Sequence, residues 1–85
     1  MNSITIICPD RVIYSRSASG RTLLSIIQQE VGNIDPDTAV RIESGTASQI
    51  TEKEKETLDS SRLAAGYRLA SETYPLGNLT FYLDE

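Results

Sequence analysis

Two alternating apolar segments and one amphipathic helix dominate the hydrophobic pattern of this 85-residue chain. Residues 3–8 and 79–83 place apolar side chains at every second position, which is typical of strands with one buried face. Between them, residues 22–31 carry apolar side chains at three- and four-residue spacing, which predicts a helix with one apolar stripe. Thr22 is a good N-cap for this helix, and Gly32 is a stop signal. The pattern predicts a helix that packs across a sheet.

Weaker signals predict the second and third strands. Residues 9–10 are Pro-Asp, a pair that suits the centre of a type I turn. Residues 11–16 alternate again and are therefore predicted to return as the second strand of a hairpin. Residues 39–43 alternate in a third strand, which is expected to end at residues 44–45, a Ser-Gly pair.

The segment that follows is more polar. Thr51 and Glu54 have the spacing of a capping box, which opens a short charged helix ending near Leu58. The predicted order after this helix is a break, one further helical turn, a short strand and a turn, at residues 59–61, 63–65, 67–72 and 75–78.

The order hairpin, long helix, strand, short helix, strand, strand is that of a β-grasp layout. We therefore predict an α+β fold in which one face of the sheet is covered. The sheet is expected to be mixed, with four to five strands, one main helix packed across it and one short helix. A chain of this length forms one domain, here residues 1–85.

Charge and composition exclude several classes of function. A net charge of −4 opposes nucleic-acid binding, because that affinity comes largely from cations that neutralise phosphates. No apolar stretch approaches the ~18 residues of a membrane span, and the N-terminus lacks the pattern of a signal peptide, so the cytoplasm is the expected compartment. Histidine, the commonest general base, is absent. The sequence contains no recognisable set of catalytic residues, and we expect no enzyme activity.

The second half of the chain carries a family signal. Residues 43–45, 51–54, 63–71 and 73–80 place turn, capping and glycine positions in an order and spacing that resemble the C-terminal half of a plant-type [2Fe–2S] ferredoxin domain. The chain most resembles the N-terminal ferredoxin domain of the reductive activators of corrinoid proteins. The resemblance is dense from about residue 39 to 83 and looser before that. It implies a β-grasp fold and, for the family, electron transfer.

The cysteines that would hold the cluster are missing from this pattern. Such a cluster has four thiolate ligands, and the resemblance implies three of them in a C-x₄-C-x₂-C loop between the helix and the third strand. Here only residues 33–37 separate Gly32 from Thr38, and Ser71 stands at the position of the family's fourth cysteine. The single cysteine, Cys8, lies in the first strand and is expected to be a small buried core residue. We therefore expect no cofactor.

Two functions stay open at this point. One is a cluster-free, ferredoxin-like module that binds a protein partner, linked by resemblance only to a corrinoid-activation or redox system. The other is an electron carrier whose [2Fe–2S] ligands are completed by another chain. A sulfur-carrier or ubiquitin-like conjugation protein of the same fold is disfavoured, because those proteins end in Gly-Gly and residues 83–85 are Leu-Asp-Glu.

Four carboxylates are candidate contact residues for a partner. They are Asp35 and Asp37, which flank a proline, and Glu52 and Glu56 in the charged helix. The simpler interpretation is that the first pair forms a turn and that the second belongs to a solvated helix face, where Glu52 pairs with Lys55. The tyrosines expected to be half-buried in the sheet are Tyr67, Tyr74 and Tyr82.

Overall fold

The computed structural model describes residues 2–17 and 20–83 as a five-stranded mixed sheet with one helix packed across it. The strands are β1 (Asn2–Ile7), β2 (Val12–Ser17), β3 (Ala39–Ala47), β4 (Tyr67–Leu69) and β5 (Pro75–Tyr82). The helices are α1 (Leu23–Glu30), α2 (Glu52–Thr57) and α3 (Ser60–Ala64), followed by a short 3₁₀ turn, Ala70–Glu72, called the Ser71 turn below. The predicted α+β, β-grasp class is confirmed. The predictions for residues 84 and 85 lie outside the described residues.

The strands lie in the order β2-β1-β5-β3-β4. β1 pairs with β2 as an antiparallel hairpin and with β5 in parallel, with Ile4 opposite Leu79. β3 runs antiparallel to both of its neighbours, β5 and β4. The central strand is therefore the last one in the sequence, and it joins the N-terminal hairpin to the β3–β4 pair.

The core lies between α1 and one face of the sheet. Thr22 caps the helix as predicted, because its side chain accepts a hydrogen bond from the Ser25 N–H at 3.2 Å. The buried apolar residues of this cluster are Ile4, Ile6, Leu23, Ile26, Ile27, Val40, Ala70, Leu79, Phe81 and Leu83. Burying each large side chain of this kind contributes about 1.5–3 kcal/mol to folding. The predicted alternation of the first and last strands is confirmed, and Ile26 joins the helical stripe.

The predicted limits of β3 and β5 are wrong. β3 continues past residues 44–45 to Ala47, and residues 75–78, predicted as a turn, are the first half of β5. The two segments pair with each other through irregularities on either side of Ser44 and Gly45. Pro75 is accommodated because it is the first residue of its strand, where a missing N–H costs least. Long-range pairing therefore overrides the local turn signal.

The segment between α2 and β5 also differs from the prediction. The helical run breaks after Thr57 as predicted, but the further turn expected at residues 63–65 begins earlier, at Ser60. It begins there because the Asp59 side chain accepts from the Arg62 N–H at 2.8 Å and caps this second short helix, α3. The predicted strand at residues 67–72 is only three residues long and continues as the Ser71 turn. The predicted short helix is thus α2, and the predicted further turn is part of a second short helix, α3.

Candidate functional site

The link between α1 and β3 is a closed turn. The Asp35 side chain accepts from the Asp37 N–H at 2.9 Å, and the Asp35 carbonyl accepts from the Thr38 N–H at 3.0 Å and from its hydroxyl at 2.6 Å. Ile34 packs against the core. The interpretation of Asp35 as a turn former is confirmed. Both aspartates are exposed on this link.

The Ser71 turn lies directly beside this link. The Ala70 N–H donates to the Thr38 carbonyl at 3.1 Å, which joins the start of the turn to the end of the link. On the other side, the Leu23 N–H donates to the Thr73 carbonyl at 2.9 Å, which ties the turn to the start of α1. Ser71 itself is half-buried. The structure thus brings together the two segments in which the resemblance would place the cluster ligands.

Cys8 lies elsewhere. β1 ends at Ile7, so Cys8 is just beyond the strand and not within it as predicted; it is half-buried and packs against the core. β1 is separated from β4 by β5 and β3, which is three strand spacings, or about 14 Å across the sheet. Cys8 therefore follows a strand that is not a neighbour of β4, the strand that leads into the Ser71 turn.

The donor set does not fit a [2Fe–2S] cluster. Such a cluster takes four ligands, most commonly thiolates. The link and the Ser71 turn contain no thiol, and within residues 2–17 and 20–83 no three His, Cys, Asp or Glu side chains are grouped so that they could hold a metal ion. The direct hydrogen bond between Ala70 and Thr38 also joins the backbone of the two segments without an intervening group.

Glu54 and Arg68 form a buried ion pair beside the residue at which the Ser71 turn begins. Arg68, the middle residue of β4, donates from Nε to Glu54 Oε2 at 2.7 Å and from Nη2 to Glu54 Oε1 at 2.9 Å. Glu54 is fully buried and Arg68 is 8 % exposed. The same carboxylate accepts from the Leu69 N–H at 3.1 Å and from the Thr51 N–H at 3.1 Å. α2, β4 and the entry to the turn therefore share one polar centre.

This network corrects the interpretation of α2 as a solvated charged face. The capping box of Thr51 and Glu54 is confirmed, but the Glu54 side chain points inward and serves Arg68 as well. Burial disfavours its charge, yet the hydrogen bonds from Arg68, Thr51 and Leu69, with the Arg68 charge, outweigh that effect and hold the pKa of Glu54 below its ordinary value of 4.5. Glu54 is thus an ionised structural group.

The other charges of α2 are solvated as expected. Glu52 and Glu56 are exposed, and Glu52 lies 3.5 Å from the Lys55 ammonium. An exposed pair of this kind contributes about 0–1 kcal/mol. No described hydrogen bond or ion pair joins these glutamates to Asp35 or Asp37, so the four candidate contact residues form two separate groups.

The sheet face opposite α1, called the outer face below, was missed by the sequence analysis. One row of side chains crosses all five strands on this face: Val12, Ile7, Tyr82, Arg41 and Tyr67. The Arg41 guanidinium lies 4.2 Å from the centre of the Tyr82 ring. The signal that could have found this face is the tyrosine content of the alternating strands.

Three of the tyrosines bear on the earlier expectations. Tyr67 and Tyr82 are half-buried in the sheet, as predicted. Tyr74 is 42 % exposed and precedes β5, so its assignment as a half-buried sheet residue is wrong. Tyr14 in β2 is the most exposed large hydrophobic residue of those described, at 80 %.

The strand order and the helix packed across one face of the sheet define a ferredoxin-like β-grasp fold. The chain is similar to a Trichomonas vaginalis ferredoxin, with a TM-score of 0.80 and 19 % identity over 96 % of this chain and 100 % of that one. It is also similar to part of the Amycolatopsis cytochrome P450 reductase GcoB, with a TM-score of 0.66 and 19 % identity over 94 % of this chain and 26 % of that one. No protein-family model and no curated protein matches the sequence. The ferredoxin-like fold predicted from the resemblance is confirmed.

Proposed function

We propose that this chain is a cluster-free, ferredoxin-like domain, residues 1–85, that acts as a protein-binding or accessory module rather than as an enzyme. The observation that supports this best is the composition of the two segments at the expected cluster position. The link and the Ser71 turn meet through the Ala70–Thr38 hydrogen bond, and neither contains a thiol. Beside them lie the apolar core under α1 and the buried Glu54–Arg68 pair, both formed by side chains of the chain itself.

The partner we propose is a protein of a redox system in the cytoplasm, with corrinoid-protein activation as the particular system. The fold likeness to a ferredoxin and to part of a cytochrome P450 reductase supports a redox setting, and the corrinoid link rests on the sequence resemblance. The acidic balance of the chain argues against nucleic acid as the partner. No helix in the described part of the chain is long and apolar enough to cross a membrane.

The experiment that tests this proposal is anaerobic reconstitution with iron and sulfide, followed by metal analysis and visible absorption. A plant-type ferredoxin with four cysteines serves as the positive control. We expect no bound iron and no charge-transfer bands, while far-UV circular dichroism shows that the protein stays folded. A stoichiometric cluster would overturn the proposal and would favour an electron carrier whose ligands come from more than one chain. In that case Cys8→Ser should abolish the cluster, because Cys8 is the only thiol each chain can supply.

A further inference from the structure

The two edges of the sheet differ in how they are protected. At the β4 edge, the Leu69 N–H donates to the buried Glu54 carboxylate, and α3 packs alongside, with the Arg62 guanidinium 5.2 Å from the centre of the Tyr67 ring. β2 is the other edge strand. It is six residues long and pairs with β1 in a regular register without a bulge. A long, regular edge strand is a template for pairing with another strand.

The hydrogen-bond phase of the hairpin shows which backbone groups face the open side of β2. The Cys8 N–H donates to the Arg11 carbonyl at 2.8 Å, so Cys8 and Arg11 form a hydrogen-bonded pair. In an antiparallel ladder such pairs alternate with pairs that are not hydrogen-bonded. The backbone N–H and C=O groups of Val12, Tyr14 and Arg16 therefore point away from β1. No described residue outside the sheet bonds to them.

The side chains of the same three residues lie on the outer face. Val12 is 47 % exposed, Tyr14 is 80 % exposed, and Arg16 is exposed as well. Tyr14 and Arg16 border an open groove of about 310 Å³, whose other lining residues are Ser3, Ile4, Thr5 and Ser15. On the opposite side of the strand, Ile13 packs against the core and the Ser15 hydroxyl donates to Glu30 Oε2 at 2.8 Å. The edge thus offers apolar and charged side chains beside unpaired backbone groups.

We propose that β2 is a self-pairing interface, through which two copies of this chain join β2 to β2 in an antiparallel arrangement with Ile13 on the two-fold axis. In this register the outward N–H and C=O groups of Val12 pair with those of Tyr14 in the other copy, and the two-fold axis repeats this pair. An aromatic side chain opposite a β-branched one is a favourable cross-strand pair. Two copies related in this way extend the five-stranded sheet to ten strands.

Charge complementarity selects this register and a second copy as the occupant. Asp10, at the tip of the hairpin, comes next to Arg16 of the other copy, and Arg11 comes opposite Ser15, whose partner is Glu30. Each contact occurs twice because of the symmetry, which makes the edge complementary to itself. The register that places Tyr14 opposite itself puts Arg16 opposite Val12 and leaves these charges without partners.

The test is the oligomeric state of the full chain, measured by sedimentation across the micromolar to millimolar range. Arg16→Asp and Asp10→Arg are each expected to raise the dimer Kd by about tenfold or more, because each places two pairs of like charges across the interface. The double variant exchanges the two charges and is expected to restore the wild-type Kd to within about threefold. Lys53→Glu on α2 changes the net charge as much as Arg16→Asp does and is expected to leave the Kd unchanged.

Amide hydrogen exchange provides a second measurement on the wild-type chain. The amides of Val12, Tyr14 and Arg16 are expected to exchange rapidly at low concentration and to become protected at high concentration, while those of Ile13 and Ser15 are protected throughout by β1. A chain that stays monomeric at millimolar concentration would overturn the proposal, as would a dimer whose protection appears elsewhere or whose charge exchange gives no rescue. This inference goes beyond the proposed function, and because its test involves no iron, either one can fail alone.

Discussion

Glu54→Ala removes the carboxylate around which α2, β4 and the Ser71 turn are joined. The Arg68 guanidinium then stays buried, with the Gln49 carbonyl at 3.2 Å as its remaining described partner. The Thr51 and Leu69 N–H groups lose their acceptor as well. This change therefore leaves a buried charge without its counter-ion and two backbone donors without their carboxylate acceptor.

The expected cost follows from that inventory. Breaking a buried ion pair by removing one partner costs about 3–5 kcal/mol. A domain of this size has a total free energy of unfolding of about 5–10 kcal/mol, so the variant is expected to lie close to the limit of folding. Glu52→Ala is the matched control, because it makes the same substitution in the same helix at an exposed position paired only with Lys55 at 3.5 Å. Its expected cost is below about 1 kcal/mol.

Urea unfolding followed by far-UV circular dichroism measures the difference, since the chain has no tryptophan. With a urea slope of about 1–3 kcal/mol per M, Glu54→Ala should lower the midpoint by more than about 1 M, and Glu52→Ala by much less. A cycle with Arg68→Met should show a favourable coupling between Glu54 and Arg68, because the double variant no longer buries an unpaired charge. Equal midpoints for Glu54→Ala and Glu52→Ala would refute the argument that burial makes this pair important.

Two further predictions concern acid stability and the β3–β5 contact. Because the pKa of Glu54 is lower in the folded chain than its ordinary value of 4.5, the stabilisation from its charge is complete above that pH and is lost as pH falls through the lower native pKa. The difference in unfolding free energy between wild type and Glu54→Gln should therefore be constant from neutral pH down to about pH 5 and shrink below it. A difference that grows on acidification would contradict this. Gly45→Ala should cost more than about 2 kcal/mol in urea unfolding, because φ is +104° and a Cβ would overlap the Asn78 carbonyl oxygen. Gly20→Ala, at φ +91° with no described atom beyond its chain neighbours within 4 Å of the added Cβ, should cost only the backbone strain of about 1–2 kcal/mol. Equal costs would exclude the close approach as the reason.

The parts of the fold that could be read from the sequence are those fixed by neighbouring residues. The cap at Thr22, the capping box at Thr51 and the alternation of Leu79 and Phe81 each depend on residues within four positions, and all three are confirmed. The turn predicted at residues 75–78 failed because that segment is held by β3, more than 25 residues earlier in the chain. Its Asn78 side chain accepts from the Ser3 N–H at 2.9 Å, a partner that no local pattern indicates.

The candidate site was accessible to sequence reasoning only in part. The absence of thiols at the expected cluster position is a property of the sequence, and the shortness of the link at residues 33–37 could be seen there too. The pairing of Glu54 with Arg68 could not, because the two lie 14 positions apart and a glutamate in a charged helix is usually solvated. The exposure of Tyr14 likewise depends on which face of β2 meets α1, and that follows from the register with β1.

The position of β5 determines when this sheet can form as the chain is synthesised. The hairpin of β1 and β2 and the pair of β3 and β4 have no strand pairing with each other, since β5 lies between them. Ile4 in β1 can pair with Leu79 only after β5 has been synthesised, and nearly the whole length of the described chain separates these two residues. A nascent chain that has reached residue 74 therefore carries two separate two-stranded units and an α1 whose apolar face is only partly covered. Such intermediates expose apolar surface and unpaired edges on both sides of the missing strand. Contacts between residues far apart in the sequence are also those that slow folding most, so completion of β5 is the step that turns two local structures into one sheet.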